Sequence, residues 1–357
     1  MDHRVARRRS AAVSDAEREP VASKFLMNPV QARASLLEGA WELQRLHDLS
    51  GLIELLSPLS EADLAAEPEL GLMLGFAWHH TGRSNHALQV VKALQGSVRR
   101  GGNTRLSRRV QNLHAMVLLE QGNLHAAEEL WIGLHERASQ AADTLAVAWV
   151  HTNLGIVADI QCRWEESLAS SQRAVAAYQK LGDRNALGGT HHNIGMTYRQ
   201  LGFLDDAARS FERAAHYYRN AGNENDIART ELERGLTLFM LGDVRLARAS
   251  VGHAVERFTR MGHMAGQSDS WRVLAIFARQ EGRLGEARRL LEASLPLVRE
   301  AVDRLTEAEI LEELAVLEKM EGDPGESARR AGEAALIYRG MGAARRAERM
   351  EERLNGA

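Results

Sequence analysis

The chain has 357 residues, is 45% hydrophobic but only 5% aromatic, and carries a formal charge of −3. That balance gives no global pull toward nucleic acid or a membrane surface, and the single cysteine, Cys162, excludes an internal disulfide and a cysteine-built zinc site. No apolar run approaches the ~18–20 residues of a membrane span, and the N-terminus has no apolar core of a secretory signal, so a cytoplasmic protein is expected.

Residues 1–24 lack apolar periodicity and hold a small basic cluster, Arg4, Arg7, Arg8 and Arg9. They read as a disordered arm. Four arginines without interleaved aromatics are a poor nucleic-acid anchor, and nucleic acid is not an expected partner. Residues 25–66 read as an N-terminal capping pair. Leu36, Leu37, Ala40, Trp41, Leu43 and Leu46 fit one helical face, and Gly51 is expected to open a short helix, Leu52 to Leu56, before Pro58.

From residue 67 to 342 the chain is periodic. Steps of 40 residues give Gly82, Gly122, Cys162, Gly202, Gly242, Gly282 and Gly322. A second series, offset by 20, gives Gly102, Ala142, Gly182, Gly222, Gly262, Val302 and Gly342. Eleven of these 14 positions are Gly. Glycine just past a helix end takes the left-handed conformation without a Cβ clash, so each 20-residue half reads as one helix and one tight turn. Asp or Asn often follows (Asn123, Asp183, Asn223, Asp243, Asp323) as the N-cap of the next helix. The column seven residues before each turn of the first series is small throughout: Gly75, Ala115, Gly155, Gly195, Gly235, Ala275, Ala315. Small residues there let paired helices approach closely. Pro324 is expected at a helix start. Arg99 to Thr104, with Gly101 and Gly102, is the least regular joint. A strongly charged helix, Ala344 to Leu354, is expected to cap the C-terminal end within residues 343–357.

One repeat carries His191-x-x-Ile194-Gly195-x-x-Tyr198 and then Ala207-x-x-x-Phe211. This resembles the tetratricopeptide pattern W-x-x-L-G-x-x-Y followed by A-x-x-x-F, with His in the Trp slot. The period of 40 and the triplets Asn153-Leu154-Gly155 and Asn193-Ile194-Gly195 are similar to a subclass that includes kinesin light chains, LGN-type scaffolds and the sensor arrays of bacterial MalT-like and AfsR-like regulators. The closing Pro of the 34-residue consensus is absent. The resemblance implies an all-α, right-handed superhelical solenoid of antiparallel helix pairs, about seven repeats plus caps, with the first helix of each pair lining a concave groove.

On those first helices the polar residues concentrate in repeats three to six. Asn153, Asn193 and Glu233 lie nine residues before the turn, Asn112, His192 and Arg272 ten before, and Asp159, Arg199 and Arg279 three before, with Arg229 alongside. Asn is a middling helix former. One reading makes the asparagines a ladder that offers donors and acceptors to a bound peptide backbone. The other has them bond to neighbouring helices or water. The arginines would suit a ligand carrying acidic groups. The expected function is therefore a non-catalytic protein- or peptide-binding scaffold. A regulatory sensor module of a bacterial transcription regulator is the alternative, and head-to-tail self-assembly a third reading. No cofactor or metal is expected: His79-His80, His151 and His191-His192 lack the spacing of a chelating set, and there is no phosphate loop or nucleophile elbow. The acidic pairs Glu165-Glu166 and Asp205-Asp206 sit where helix dipoles favour them. Oligomeric state is not legible.

Overall fold

A computed structural model describes residues 29–46, 48–100 and 104–356. The arginine-bearing arm and the Gly101-Gly102 joint lie outside the described residues. Three helices come first: the full-length α1 (Pro29–Arg45) and two short ones, α2 (Leu49–Leu56) and α3 (Glu61–Ala66). Seven antiparallel pairs follow. They are α4 (Pro68–His80) with α5 (Ser84–Arg100), α6 (Thr104–Glu120) with α7 (Leu124–Gln140), and α8 (Thr144–Ile160) with α9 (Trp164–Leu181). Next come α10 (Arg184–Gln200) with α11 (Leu204–Ala221), α12 (Glu224–Met240) with α13 (Val244–Met261), α14 (Met264–Gln280) with α15 (Leu284–Ala301), and α16 (Arg304–Met320) with α17 (Pro324–Gly340). Helix α18 (Ala344–Gly356) closes the array. The fold is an all-α superhelical solenoid.

The turn chemistry explains the period. Gly182, Gly222 and Gly262 end their helices at φ of 68°, 70° and 64°. Where the series departs from Gly, the backbone does not: Ala142, Cys162 and Val302 hold φ of 51°, 57° and 60°. Each accepts a left-handed conformation that costs about 1 kcal/mol for a residue with a Cβ, because the flanking helices are already locked by packing. The next helix is then capped by a side chain. Asn123, Asp183, Asn223, Asp243 and Asp323 each accept the amide three residues on, and so do Asp143 and Asp303. Pro324 occupies the first turn of α17.

The small-residue column marks where paired helices touch. A Cβ on Gly195 would stand 2.8 Å from Phe211 Cε1, and one on Gly235 2.6 Å from Val251 Cγ2. The N-terminal segment departs from expectation. Helix α2 starts at Leu49, not after Gly51, because the Asp48 carboxylate caps it by accepting from the Gly51 amide at 2.8 Å. A third helix follows, fixed by a reciprocal Ser60–Asp63 capping box.

Curvature then brings distant repeats together. One apolar cluster joins Leu124, Trp131, Val150 and Ile160 of pairs two and three to Leu311, Tyr338, Met341 and Met350 of pair seven and α18. The Leu124 amide donates to the Met341 carbonyl at 3.3 Å. Gln161 Nε2 donates to the Gly342 carbonyl at 3.5 Å, and the Arg349 guanidinium lies over the Trp164 ring at 4.3 Å. The turn at Gly82 faces Ala265 of α14, and the turn at Gly122 faces Arg304 of α16. Pairs one, two and three thus meet pair six, pair seven and α18: the superhelix completes a turn in about five repeats, and successive turns touch along a seam.

Candidate functional site

Because the turns touch, the inward faces of the first helices line a lumen. Their residues recur every 40 positions, so a side chain late in one helix lies beside one earlier in the next. Arg199 of α10 pairs with Glu233 of α12 at 2.5 Å, and Arg279 of α14 with Glu313 of α16 at 3.1 Å. Arg272 reaches Asp269 at 2.7 Å and Glu309 at 3.4 Å. Glu309 is also held by Arg346 of α18, which carries the network across the last joint.

Electrostatics follow from this crowding. Burial disfavours charge on Arg272, but Asp269, Glu309 and Glu233 outweigh it and its pKa rises well above the usual value. Asp269 bears the opposite strain: burial, with Glu233 and Glu309 nearby, pushes its carboxyl up to about 6 despite Arg272. Burial also raises Asp159, against a 2.8 Å hydrogen bond from Thr197 Oγ1 and the field of Arg346 and Arg199. At the seam, His80 is pushed down to about 4 by desolvation and by His79, although its side chain still meets solvent. Its neighbour His79 is bonded to Glu120 at 2.8 Å. A group hemmed in by the walls of a lumen can touch water and still lose most of its bulk hydration.

The asparagines lie elsewhere. Asn112 and Asn153 are buried together in pairs two and three, where Asn112 Oδ1 accepts from Asn153 Nδ2 at 3.1 Å and from Trp131 Nε1 at 3.0 Å. His192 is buried too, sharing a 3.0 Å hydrogen bond with Thr230 Oγ1 and set edge-on to Phe211. Burial and the fields of Arg229 and Arg199 hold it neutral, with its pKa well below the ordinary value. Asn193 is half-buried. Arg229 differs from the other expected arginines: it is 3.6 Å from Asp226 and keeps 49% of its side-chain surface open. Burial disfavours its charge, yet Asp226, Tyr218 and Glu233 raise its pKa.

The expected site residues therefore fall into two sets. Asn112 and Asn153 form one internal link. Asp159, Arg199, Glu233, Arg272 and Arg279 belong to a continuous charged lining, beside which stand His192, Asn193 and Arg229. Sequence reasoning missed Asp226, Asp269, Glu309 and Arg346. Its available signal was the recurrence of Arg and Glu 34 residues apart, as in Arg199 with Glu233 and Arg279 with Glu313. The histidines are dispersed: His151 meets His135, and His191 stacks on Tyr217. Among the described residues no group of His, Cys, Asp and Glu could hold a metal ion, and no helix is long and apolar enough to cross a membrane.

Residues 106–180 match the tetratricopeptide repeat family. No curated protein matches the chain. Solved structures of similar fold include NprR in complex with its cognate peptide NprX, at 13% identity and a TM-score of 0.60 over 80% of this chain and 84% of that one. A Rap protein complexed with Competence and Sporulation Factor aligns at 14% identity and a TM-score of 0.56, over 90% and 98%. Aspartyl phosphate phosphatase F from Bacillus subtilis aligns at 10% identity and a TM-score of 0.57, over 80% and 74%. At such identities the likeness is one of fold.

Proposed function

This chain is a tetratricopeptide-repeat-like protein, and from that premise we propose that it is a cytoplasmic, non-catalytic receptor for a peptide or extended protein segment bound in the lumen. The observation that carries the reading is Arg229. It stands inside the superhelix, ionised, near Asp226 but with half of its surface open to an incoming group. Arg199, Arg272 and Arg279 are each tied to a carboxylate, so a preference for acidic ligands rests on Arg229. Asn193, half-buried one repeat earlier, can offer its amide to a main chain. The peptide-bound NprR and the Rap complex, alike in fold, support a peptide as the class of ligand. The phosphatase of like fold carries no catalytic argument at 10% identity. Here the acidic pairs at helix starts are partly neutralised by neighbours, Asp206 by Arg209 at 2.7 Å and Glu166 by Arg163 at 2.6 Å.

Asn153 and Arg199 are poor probes, since each holds the scaffold together. The test uses Arg229→Glu and Asn193→Ala against the wild type in selection from a displayed random-peptide library. Peptides enriched by the wild type are expected to be acidic and to bind Arg229→Glu about tenfold or more weakly. A library from which the wild type enriches nothing over the Arg229→Glu variant sinks the proposal, as does detectable hydrolytic turnover that depends on lumen carboxylates.

A further inference from the structure

The seam covers only part of the edge to which it belongs. In pairs one to three, the turn between the two helices of a pair packs under the next superhelical turn. In pairs four to seven no described residue lies beneath the equivalent turn. A Cβ on Gly122 would strike Met341 and one on Gly82 would touch Ala265, whereas at Gly202, Gly242, Gly282 and Gly322 it would meet nothing within 4 Å.

Apolar residues follow the same columns into the open. Two residues before the turn, Ile160 is 5% exposed in the seam, but Met240 is 52% exposed outside it. Two after the turn, Leu124 is fully buried and Val244 is 39% exposed. Phe203 and Leu241, at 56% and 39%, lie on the same uncovered edge of adjacent repeats. These residues are of the kind that the seam buries, placed where the described residues form no covering turn.

The opposite edge shows the complementary pattern. Met341, one residue before its turn, is 4% exposed because it sits on Gly122 and Leu124. Leu181 holds the same column four repeats earlier and is 43% exposed. The two hydrogen bonds of the seam end on backbone carbonyls, those of Met341 and Gly342, with apolar packing around them. Such contacts depend little on which repeat supplies them, so one copy's free upper edge can repeat on another copy's free lower edge what the seam does within a copy.

We infer that the uncovered edge carrying Phe203, Met240, Leu241 and Val244 is an interface for a second copy of this chain, stacked coaxially with its Leu181-bearing edge against it. The contact is heterologous, so each copy keeps one free edge and growth is open-ended.

Sedimentation velocity across a concentration series tests this with two variants, Met240→Asp/Val244→Asp on one edge and Leu181→Asp on the other. All the substituted side chains are substantially exposed, and far-UV circular dichroism checks that helicity is kept. The wild type is expected to gain mass with concentration. Each variant alone is expected to stay monomeric. An equimolar mixture is expected to form a capped dimer that grows no further, because each variant retains one intact edge and the two are complementary. A wild type that remains monomeric up to about 100 µM, far above the dissociation constant of a specific interface, overturns the inference. So does a mixture that stays monomeric, or a single variant that still dimerises, which would mean a symmetric contact elsewhere. None of the substitutions touches Arg229 or Asn193, so peptide binding and stacking can fail separately.

Discussion

Two glycine turns separate the worth of the seam from the worth of the repeat. Gly122 and Gly202 hold nearly the same left-handed backbone, φ of 79° and 82°, at equivalent turns two repeats apart. Replacing either by Ala adds the same backbone strain, about 1 kcal/mol. Ala142 shows that the chain tolerates it. Only at Gly122 does the new methyl meet another turn of the superhelix: it would stand 2.8 Å from Met341 Cγ and 3.4 Å from Arg304 Cβ. Met341 is buried and gives only in part, so overpacking adds about 1–3 kcal/mol. Gly202→Ala is therefore expected to cost about 1 kcal/mol and Gly122→Ala about 2–4 kcal/mol in all. Urea denaturation followed by circular dichroism measures both, with unchanged slopes required for the comparison. Equal shifts in the two midpoints would refute a closed turn, since the backbone contribution is common to both.

Asn112→Ala leaves the buried Trp131 Nε1 and Asn153 Nδ2 donors without their shared acceptor, a loss of about 2–4 kcal/mol in denaturant stability; an Asn112→Asp variant, which keeps the acceptor, should recover part of it at neutral pH. Arg272→Ala uncovers Asp269 in the interior and should cost about 3–5 kcal/mol, with the added change Asp269→Asn restoring a measurable fraction; additive effects would mean that the pair is not coupled. Half-buried His151 is held down to about 4 by desolvation, with His135 adding to the effect, and His80 is held down to about 4 by hydration lost within the lumen, with His79 adding. The unfolded chain takes up those protons near the ordinary value of about 6.5, so their contribution is complete above that pH and is lost as pH falls toward 4. The urea midpoint at pH 5 should therefore drop less, relative to pH 7, in His151→Gln than in the wild type. Asp269, raised to about 6, acts in the opposite sense, and Asp269→Asn should steepen the acid loss.

The repeat was legible because its constraints are local. A left-handed turn selects Gly, the following N-cap selects Asp or Asn, and a close helix crossing selects a small residue; each leaves a column that can be read without coordinates. The lumen was half legible. Residue type and column identified Arg199, Glu233, Arg272 and Arg279 as inward-facing, but not that each would be paired within the lining, Arg199 with Glu233, Arg279 with Glu313 and Arg272 with Asp269 and Glu309. That depends on whether a late residue of one helix lies level with an early residue of the next, which inter-helix rotation decides. The asparagine ladder has the same lesson. Asn153 meets Asn112 41 residues away and not its columnar mate Asn193, because Trp131 of α7 reaches between the first helices and needs an acceptor. The seam was not legible, since it arises from small rotations summed over five repeats and its columns carry apolar residues both where a turn covers them and where none does.

A closed superhelix poses the question of how its lumen communicates with solvent, and one amide can answer it. Apart from the seam, each repeat of a solenoid touches only its neighbours, so opening need not unfold any helix. Its polar contacts include the Leu124 and Gln161 hydrogen bonds, worth about 1 kcal/mol each, and the Arg349–Trp164 contact, worth about 0.5–1 kcal/mol, together with the apolar burial around Met341. Such a seam opens at a free energy well below that of global unfolding. The first amides of a helix have no acceptor within it. At Leu204 and Val244 that amide turns back to the carbonyl two residues earlier, whereas at Leu124 it crosses the seam to Met341. Hydrogen exchange at Leu124 thus reports opening directly. It is expected to be slower than at Leu204 and Val244, faster than at the buried centre of α7, and accelerated by Gly122→Ala. Exchange at Leu124 as fast as at Leu204 would mean that the turns stand apart in solution and that the lumen is an open groove.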